Sequence, residues 1–476
     1  MIDLTERVPV GTLPLPPKNP LSFRQRLKAL RNFHTGLEAL RDAGGPVSQF
    51  CPRFTRLIPA VVIVTSPQGG RDILSRTDAS VDRTSLHAEM RHLLGDNLFD
   101  VPHREWVRRK RALQPVFTKQ RVRAFARHMS QAAETVCAGW LDRAEIDLDT
   151  EARRLTLRAL GRSVLDLDLD ERADLIAEPL RVVLNYVADR SLRPFRAPRW
   201  LPTPARHRAR AANSALHQIA NDILQGCRAD PTRDAPLVQA LIATTDPETG
   251  QALSDDEICH ELVIFMAAGH DTTATTLAYA FWALGRNPDI QQRVAAEAIA
   301  IGDRELTPED IPQLGYTVQV LHEALRLCPP AAAIGRTTLQ DVEVDGYRVP
   351  AGTIVVYGVC AVHRDAALWD DPLTFDPDRF GPGKSQGRDR WQYIPFGGGP
   401  RSCIGDHFAM LEATLALATV IRRTEIDSLE ADFPLAVPMT TVAAAPIPAR
   451  VKARSHAADP KDHRESPSRS DHESTA

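Results

Sequence analysis

One of the seven cysteines stands in a glycine-rich stretch whose residue types suit the binding of a metal-containing cofactor. Residues 396–405 read Phe-Gly-Gly-Gly-Pro-Arg-Ser-Cys-Ile-Gly, and an apolar helix is predicted directly after them, over 407–422. Positive charge stabilises a thiolate, and we expect Arg401 and the amides at the start of that helix to provide it for Cys403. The chemistry that this pattern favours is ligation of haem iron by a cysteine thiolate.

The residues around Cys403 distinguish this interpretation from a buried structural cysteine beside a turn. Glycines allow the backbone to approach a large flat ligand, which a Cβ would keep at a distance. Phe396, seven residues before the thiol, can shield the sulfur and tune its donor strength. A structural cysteine would not need Phe396, Gly399, Arg401 and Gly405 in register, so we favour the haem ligand.

The spacing F-x-x-G-x-R-x-C-x-G resembles the haem-binding loop of the cytochrome P450 family, and the chain fills each fixed position. The resemblance implies the cytochrome P450 fold, which is mainly α-helical with a small β-rich lobe and forms a triangular helical prism around haem b. We expect three parts: a proline-rich lead over 1–19, a single haem-thiolate catalytic domain over 20–452 and a disordered polar tail over 453–476.

A long helix is predicted from the capping box at Ser254 to a stop signal with the sequence Gly-Arg-Asn-Pro. Its length of roughly 45 Å, at about 1.5 Å per residue, would cross a whole domain. Gly269 and the threonines after it are poor helix formers, so a local distortion is expected there. Asp271 and Thr272 match the acid–alcohol pair of the resembled family, which implies proton delivery. Taken alone, they are equally consistent with tolerated polar residues in a helix.

Two further segments concern an ion-pair network. Glu323 and Arg326 share a face of a helix predicted over 318–327, and most pairs at this spacing are surface pairs of small energy. The sequence Phe-Asp-Pro-Asp-Arg-Phe at 375–380 is similar to the family's loop with a second arginine. The resemblance implies that Glu323, Arg326 and Arg379 form a buried structural network without a catalytic role.

A fourth segment concerns the two haem propionates, which need positive charge. Trp106 and Lys110 resemble the W-x-x-x-R helix of the family, with lysine in place of the usual arginine. Lysine is a point donor where arginine would offer a fork of two donors. The resemblance implies that the Trp106 N–H and Lys110 bind the propionates, while Arg336 and Arg401 supply the remaining charge.

Composition agrees with a globular enzyme. The chain has 476 residues and a net charge of −3. No stretch approaches the roughly 18 uninterrupted apolar residues of a membrane span. The cysteines are scattered without a C-x-x-C pair, which argues against zinc or iron–sulfur sites and favours a reducing compartment. We therefore expect a cytoplasmic monomer without a transmembrane segment or a nucleic-acid partner.

Electrons must come from another protein, because the sequence contains no flavin or iron–sulfur module. We expect a ferredoxin- or flavodoxin-type donor that is supplied by an NAD(P)H-dependent reductase. Clustered basic residues beneath the haem are predicted to steer this donor, with an ordinary solvated helix face as the alternative. They are Arg108, Arg109, Arg111, Lys119, Arg121, Arg123, Arg422 and Arg423.

The substrate is expected to be a neutral lipophilic molecule of terpenoid, steroid, polyketide or fatty-acid type, with O₂ as the co-substrate. By resemblance, the pocket draws on small and apolar residues near 84–103, 180–212, 267–268, 331–334 and 440–445. An arginine-rich segment over 190–210 is expected to be solvated, and a weak membrane contact is the alternative.

Two other functions share a cysteine ligand. A peroxide-dependent peroxygenase or an isomerase needs no electron partner and usually lacks the acid–alcohol pair. Asp271 and Thr272 therefore favour a monooxygenase, which inserts one oxygen atom of O₂ into a C–H or C=C bond. A non-catalytic gas sensor would carry an output domain or a dimerising helix, and the sequence shows neither.

Overall fold

The computed structural model describes residues 9–31, 33–51, 59–83, 87–167, 173–192, 197–245 and 250–454. Residues 1–8 of the predicted lead and 455–476 of the predicted tail lie outside these ranges. So do residues 84–86 and 193–196 of the predicted pocket segments.

Helices make up most of the described chain. They are α1 (Phe23–Arg31), α2 (Phe33–Gly44), α3 (Pro67–Leu74), α4 (Ala88–Leu94), α5 (His103–Leu113), α6 (Lys119–Val122), α7 (Ala126–Ala138), α8 (Leu148–Leu160), α9 (Ala173–Leu192), α10 (Pro204–Ala229), α11 (Pro236–Ile242), α12 (Asp255–Arg286), α13 (Pro288–Ala300), α14 (Gly315–Leu327), α15 (Val359–His363) and α16 (Asp406–Arg423). Short 3-10 segments cover Val10–Thr12, Gln114–Phe117, Arg123–Phe125, Pro308–Gln313 and Pro377–Phe380, and Gly161–Leu165 forms a π-helical turn.

The strands form small sheets at the edge of the helical part. They are β1 (Val47–Cys51), β2 (Val61–Val64), β3 (Val81–Asp82), β4 (Ile146–Asp147), β5 (Ile334–Thr338), β6 (Val342–Val344), β7 (Tyr347–Val349), β8 (Ile354–Tyr357), β9 (Thr424–Ser428), β10 (Leu435–Ala436), β11 (Val442–Ala443) and β12 (Pro448–Ala453). One sheet has the order β1-β2-β8-β5-β3 and another β4-β12-β9, while β6–β7 and β10–β11 are hairpins. Asp345 and Gly346, both at positive φ, form the predicted turn between β6 and β7.

Helix α12 runs through the centre of the protein and packs against α8, α10, α14 and α16. Its start is fixed by the predicted capping box: Glu257 N–H donates to Ser254 Oγ, and the Glu257 carboxylate accepts from the Ser254 N–H at 2.9 Å. Most of its apolar residues are buried all round the helix, as expected for a helix that crosses a core.

The expected distortion at Gly269 does not interrupt α12, which remains α-helical throughout. Thr272 and Thr276 instead donate their hydroxyl protons to carbonyl oxygens one turn earlier, at 2.9 and 3.1 Å. Gly269 allows close packing, because a Cβ there would lie only 2.8 Å from Leu160 Cδ1 of α8. Gly269 therefore allows α12 to pack closely against α8 and does not bend α12.

Candidate active site

Residues 396–405 form a tight loop, the cysteine loop, that leads into α16. The Cys403 N–H donates to the Phe396 carbonyl at 2.9 Å, and the Gly405 N–H donates to Cys403 Sγ at 3.3 Å. Gly399 has φ +72°, and a Cβ at this position would overlap the Leu74 carbonyl at the end of α3. The loop thus relies on a glycine both for its backbone conformation and for its fit against α3.

A cavity lies between this loop and α12, and counting its opening to solvent it holds about 940 Å³ of empty space. The loop side includes Phe396, Cys403 and Gly405, and the Cys403 side chain is exposed to the cavity. The α12 side is formed by Ala268, Gly269, Thr272, Thr273 and Thr276. The predicted thiolate and the predicted alcohol Thr272 therefore line one compartment.

The environment of the sulfur corrects the role given to Arg401. Burial raises the pKa of the Cys403 thiol, whereas the Gly405 N–H and the Lys110 ammonium act to lower it. Arg401 instead places its guanidinium 4.4 Å from the centre of the Trp106 ring and donates to the Val101 carbonyl at 3.0 Å. Lys110 of α5, rather than Arg401, is therefore the cation that acts to lower the pKa of the Cys403 thiol. The Lys110 Nζ donates to the Pro400 carbonyl of the loop at 2.7 Å.

Arg401 belongs to a buried group of cations beside the cysteine loop. Burial depresses the pKa of Arg336 to about 10, and burial together with repulsion from Arg336 lowers that of Arg401 to about 10. Burial and repulsion from Arg336 and Arg401 hold the pKa of Arg83 well below its usual value. Arg83 Nε, Arg401 Nη1 and His87 Nδ1 are buried without a hydrogen-bond partner among the described residues. Buried donors without partners are rare in proteins, so this group suits an anionic ligand.

The sequence did not single out Arg83, and it included His87 only within the pocket segment near 84–103, because neither residue belongs to a recognisable motif. Their position depends on strand pairing: β3 pairs with β5, with Asp82 opposite Thr337, which brings Arg83 next to Arg336. The only signal in the sequence was the strand-like pattern of β5. A single sequence does not specify that the distant strand β3 pairs with it.

The residues at the site fit a haem group. Cys403 would offer a thiolate ligand to the iron, Gly399 lets the loop lie close to α3, and the donors of Arg83, Arg401 and His87 would bind the two propionates. Trp106 stands between Lys110 and Arg401, with its ring centre 5.0 Å from Lys110 Nζ. When bound, haem with a thiolate ligand supplies the chemistry of O₂ activation and O–O cleavage.

Asp271 and Thr272 are adjacent in sequence but face different compartments. Asp271 lines a second cavity, of about 1050 Å³ with its opening to solvent, between α8, α9 and the segment 438–443. There it forms an ion pair with Arg153 of α8 and accepts a hydrogen bond from the Thr440 hydroxyl. The acid is therefore held on one side of α12, and the alcohol lies on the other.

The three residues of the predicted network, Glu323, Arg326 and Arg379, lie together. Glu323 and Arg326 are fully buried and form two contacts of 2.7 Å, and Arg379 Nε lies 3.3 Å from the Glu323 carboxylate. Arg326 also donates to the His363, Pro372 and Thr374 carbonyls. The network therefore connects α14 to the segment that leads towards the cysteine loop.

Two of the basic residues that were predicted to steer the electron donor, Arg109 and Arg422, do not lie on the surface. Arg109 is buried and pairs with Glu261 of α12 at 2.6 Å. Arg422 is also buried, where it donates to the Gly302 carbonyl at 2.7 Å and contacts Glu134. These arginines hold elements together, so they do not present charge to a partner. Arg111, Lys119, Arg121 and Arg123 are exposed.

The arginine-rich segment is likewise only partly a surface feature. Arg190 is buried and pairs with Glu89 of α4 at 2.6 Å. Arg206 is buried and donates to the carbonyls of Pro198, Arg199 and Leu201, which fixes the entry into α10. Between them Trp200 is 80% exposed.

Comparison with known proteins places these features in a family. The family model described as Cytochrome P450 matches residues 14–453. Cyclooctat-9-en-7-ol 5-monooxygenase of Streptomyces melanosporofaciens is 33% identical over 344 residues, which cover 72% of this chain and 75% of that protein. Pentalenene oxygenase of Streptomyces avermitilis is 32% identical over 412 residues, 86% of this chain and 87% of that protein. The crystal structure of a cytochrome P450DA mutant heme domain superimposes with a TM-score of 0.79 at 24% identity, covering 93% of this chain and 98% of that one.

The chain therefore belongs to the cytochrome P450 family. The predicted fold and the predicted haem-dependent monooxygenase activity are confirmed, and the enzyme uses O₂, a lipophilic substrate and a redox partner. Among the helices of the described residues, none has the length and apolar character to cross a membrane.

Proposed function

We propose that this enzyme inserts one oxygen atom of O₂ into a C–H or C=C bond of a terpenoid. The observation that carries this proposal is the single compartment that Cys403 shares with the small and apolar residues of α12 and the segment after α14. Those residues include Ala268, Phe265 and Ala331, and Phe117 of the 3-10 segment after α5 joins them, so the substrate would meet no charged side chain from this wall. Two relatives whose names state oxygenation of cyclooctat-9-en-7-ol and pentalenene support the terpenoid class.

Asp271 and Thr272 are proposed to connect the solvent to the reaction compartment. Asp271 faces the solvent-open second cavity and its neighbour Thr272 faces the cavity of Cys403, so the dipeptide joins the two through α12. The Thr272 hydroxyl donates to the Ala268 carbonyl at 2.9 Å, which leaves its oxygen available to accept a proton. In this role Arg153 and the Thr440 hydroxyl orient the Asp271 carboxyl group.

The propionates are proposed to contact Trp106, Lys110, Arg336 and Arg401, together with Arg83 and His87. The cofactor is proposed to be haem b, because the sequence lacks the C-x-x-C-H pattern that attaches haem covalently. The structural role of Glu323, Arg326 and Arg379 is proposed to be support of the cysteine loop.

The partner is proposed to be an acidic ferredoxin or flavodoxin that docks on the exposed cations around α6. This helix packs against α16, which begins directly after the cysteine loop. A cytoplasmic location is proposed because the seven cysteines are scattered without a C-x-x-C pair, which favours a reducing compartment, and the enzyme is proposed to act as a monomer.

The substrate class is tested by titrating the purified haem protein with cyclic terpenes, steroids and long-chain fatty acids while recording its absorption spectrum. We expect a spin-state shift with a terpene at micromolar concentration, because an apolar ligand displaces water from the cavity. A product with one added oxygen atom should then form with O₂ and a reconstituted electron donor. A shift with fatty acids alone, or turnover with peroxide but not with O₂ and electrons, would contradict the proposal.

A further inference from the structure

Trp200 is the most exposed large apolar side chain in the described part of the chain, with 80% of its surface open to solvent. Leu201 beside it is 39% exposed. Single exposed apolar residues are common on protein surfaces and alone need no explanation. Trp200 differs from them because the backbone that carries it is held in place by buried arginines.

Trp200 stands at the tip of a tight turn over residues 198–201, which we call the tryptophan turn. The Leu201 N–H donates to the Pro198 carbonyl at 3.0 Å, so Arg199 and Trp200 are the two central residues. Arg206 of α10 is buried and donates to the Pro198 carbonyl at 2.9 Å. The same guanidinium also donates to the Arg199 and Leu201 carbonyls, so it fixes the turn from below.

The chain that enters the tryptophan turn is fixed in the same way. Arg190 of α9 is buried, donates to the Ala197 carbonyl at 3.1 Å and pairs with Glu89 of α4 at 2.6 Å. Glu89 also lies 3.3 Å from Arg199, whose side chain remains 48% exposed. Burying an arginine costs free energy unless its donors are satisfied, so two buried arginines on one turn indicate that its conformation matters. The protein therefore holds an aromatic side chain in solvent on a rigid support.

The chain around the tryptophan turn carries charge of one sign. Residues 190–221 contain seven arginines and neither aspartate nor glutamate, although the whole chain has a net charge of −3. Among the described residues, Arg199 of the turn and Arg208 and Arg210 of α10 are exposed. Burial lowers the pKa of His92 of α4, and Arg199 and Arg210 lower it further. Their positive charges therefore act on the same part of the surface.

An exposed tryptophan among exposed arginines fits the surface of an anionic lipid bilayer. Tryptophan is enriched at membrane–water interfaces, where its apolar ring and polar N–H suit the headgroup level. The negative surface potential of anionic lipids attracts arginine. An acidic protein would also attract arginine, but protein interfaces usually match charges of both signs. The segment 190–221 carries only positive charge, which favours a surface of uniform negative charge.

We propose that the tryptophan turn and the exposed arginines at the start of α10 bind the surface of an anionic membrane, with Trp200 and Leu201 entering the headgroup region. The contact is peripheral and uses apolar and electrostatic attraction together. A lipophilic substrate partitions into lipid, so the contact places the enzyme where its substrate is concentrated. The proposal goes beyond the proposed function and does not depend on the terpenoid class.

Sedimentation of the purified haem protein with lipid vesicles tests the contact. The protein should bind vesicles of phosphatidylcholine mixed with phosphatidylglycerol at least about tenfold more tightly than vesicles of phosphatidylcholine alone, and salt should weaken this binding. Trp200→Ala should weaken binding about tenfold, because the apolar contact is lost. Arg208→Glu with Arg210→Glu should weaken it by about tenfold or more. These side chains are exposed, so the variants are expected to fold.

Two controls match these variants elsewhere on the surface. Leu373→Ala truncates another large apolar side chain, which is 71% exposed. Lys119→Glu with Arg121→Glu reverses two exposed charges on α6. Each control should change vesicle binding by less than about twofold at physiological salt, because charges away from the contact are screened.

Fluorescence quenching shows which residue enters the lipid. Lipids brominated on their acyl chains should quench part of the tryptophan fluorescence of the bound wild type, and Trp200→Phe should remove that quenching while most of the binding remains. Quenching that persists in Trp200→Phe would contradict the proposal.

Two results of the sedimentation assay would overturn the proposal. The absence of binding to anionic vesicles would exclude the membrane and leave the tryptophan turn to an acidic protein. Binding that is unchanged in Trp200→Ala and in the double variant of Arg208 and Arg210 would show that another surface is responsible. The assay contains no substrate, so a failure to oxidise terpenoids would affect the proposed function and leave these results unchanged.

Discussion

The charged residues of the site lie in three separate places around α12 and the cysteine loop. Lys110 and the Gly405 N–H face the sulfur of Cys403, and the buried arginines around Arg401 form a separate positive group. Asp271 is held by Arg153 on the far side of α12. The compartment between them contains hydroxyl groups but no charged residue of α12, which suits an apolar substrate and controlled proton entry.

Thr272→Ala should uncouple electron consumption from product formation. The variant loses the hydroxyl that faces the cavity, so protons arrive without control while electron uptake continues. Oxygen consumption should persist, product should fall several-fold and hydrogen peroxide should rise. The three quantities are measured together in a reconstituted assay. Thr276→Ala, one turn further along the same wall, should keep most of its coupling, and unchanged coupling in Thr272→Ala would exclude the assigned role.

Glu412 is a fully buried carboxyl group of α16, and Glu412→Gln should change how the stability of the protein depends on pH. The pKa of Glu412 is raised on folding, so the folded state holds its proton more tightly than the unfolded state. Wild-type stability should therefore fall as pH rises above the unfolded value of about 4.5, and the variant should lack this part of the decline. Urea denaturation at pH 5 and pH 8.5 compares the two proteins. A stability difference that is the same at both pH values would contradict the pKa shift.

The cysteine loop was predictable residue by residue, because its chemistry is confined to ten consecutive positions. Arg83 and His87 were not, because their positions depend on which distant segments pack against them. Arg401 shows the limit most clearly. Its proximity in sequence to Cys403 suggested a contact with the sulfur, yet the side chain turns towards Trp106.

At the level of elements, buried ion pairs join helices that are distant in sequence. Arg109 links α5 to α12, Arg153 links α8 to α12, and Glu323 anchors the segment before the cysteine loop to α14. The start of α12 was predicted from its capping box, and the predicted helix over 318–327 begins three residues earlier, at Gly315. The partners of these charges required the tertiary structure, since spacing along one helix does not identify a contact from another.

Glu323→Gln should destabilise the protein by about 3–5 kcal/mol, because Arg326 and Arg379 would keep buried charges without their partner. The free energy of unfolding is measured by urea denaturation followed by circular dichroism. Asp378→Asn is the control, since it breaks the exposed pair with Arg293 and should cost less than about 1 kcal/mol. Equal effects of the two changes would show that the buried network adds no special stability.

For the whole molecule, the distribution of exposed cations matters more than the net charge of −3. Lys119 and Arg121 lie on α6, and the adjacent Phe125 packs against Phe408 of α16 with ring centres 6.0 Å apart. This contact places the exposed charges close to the helix that follows Cys403. They are therefore the best candidates for the site at which an acidic donor delivers electrons.

Lys119→Glu with Arg121→Glu should slow reduction by a ferredoxin several-fold at low ionic strength and weaken its salt dependence. Stopped-flow reduction rates over a range of salt concentrations measure both effects. Arg208→Glu with Arg210→Glu reverses the same amount of exposed charge on α10 and should change neither. A rate that ignores the charges on α6 would show that the donor docks elsewhere.

The most direct test of the whole account is the absorption spectrum of the reduced protein with carbon monoxide, for the wild type and for Cys403→His. Ligation by the Cys403 thiolate requires a Soret band shifted far to the red in the wild type, and this band should be lost in the variant while haem remains bound. A wild-type spectrum typical of histidine-ligated haem, or a red-shifted band that survives in Cys403→His, would show that Cys403 is not the iron ligand.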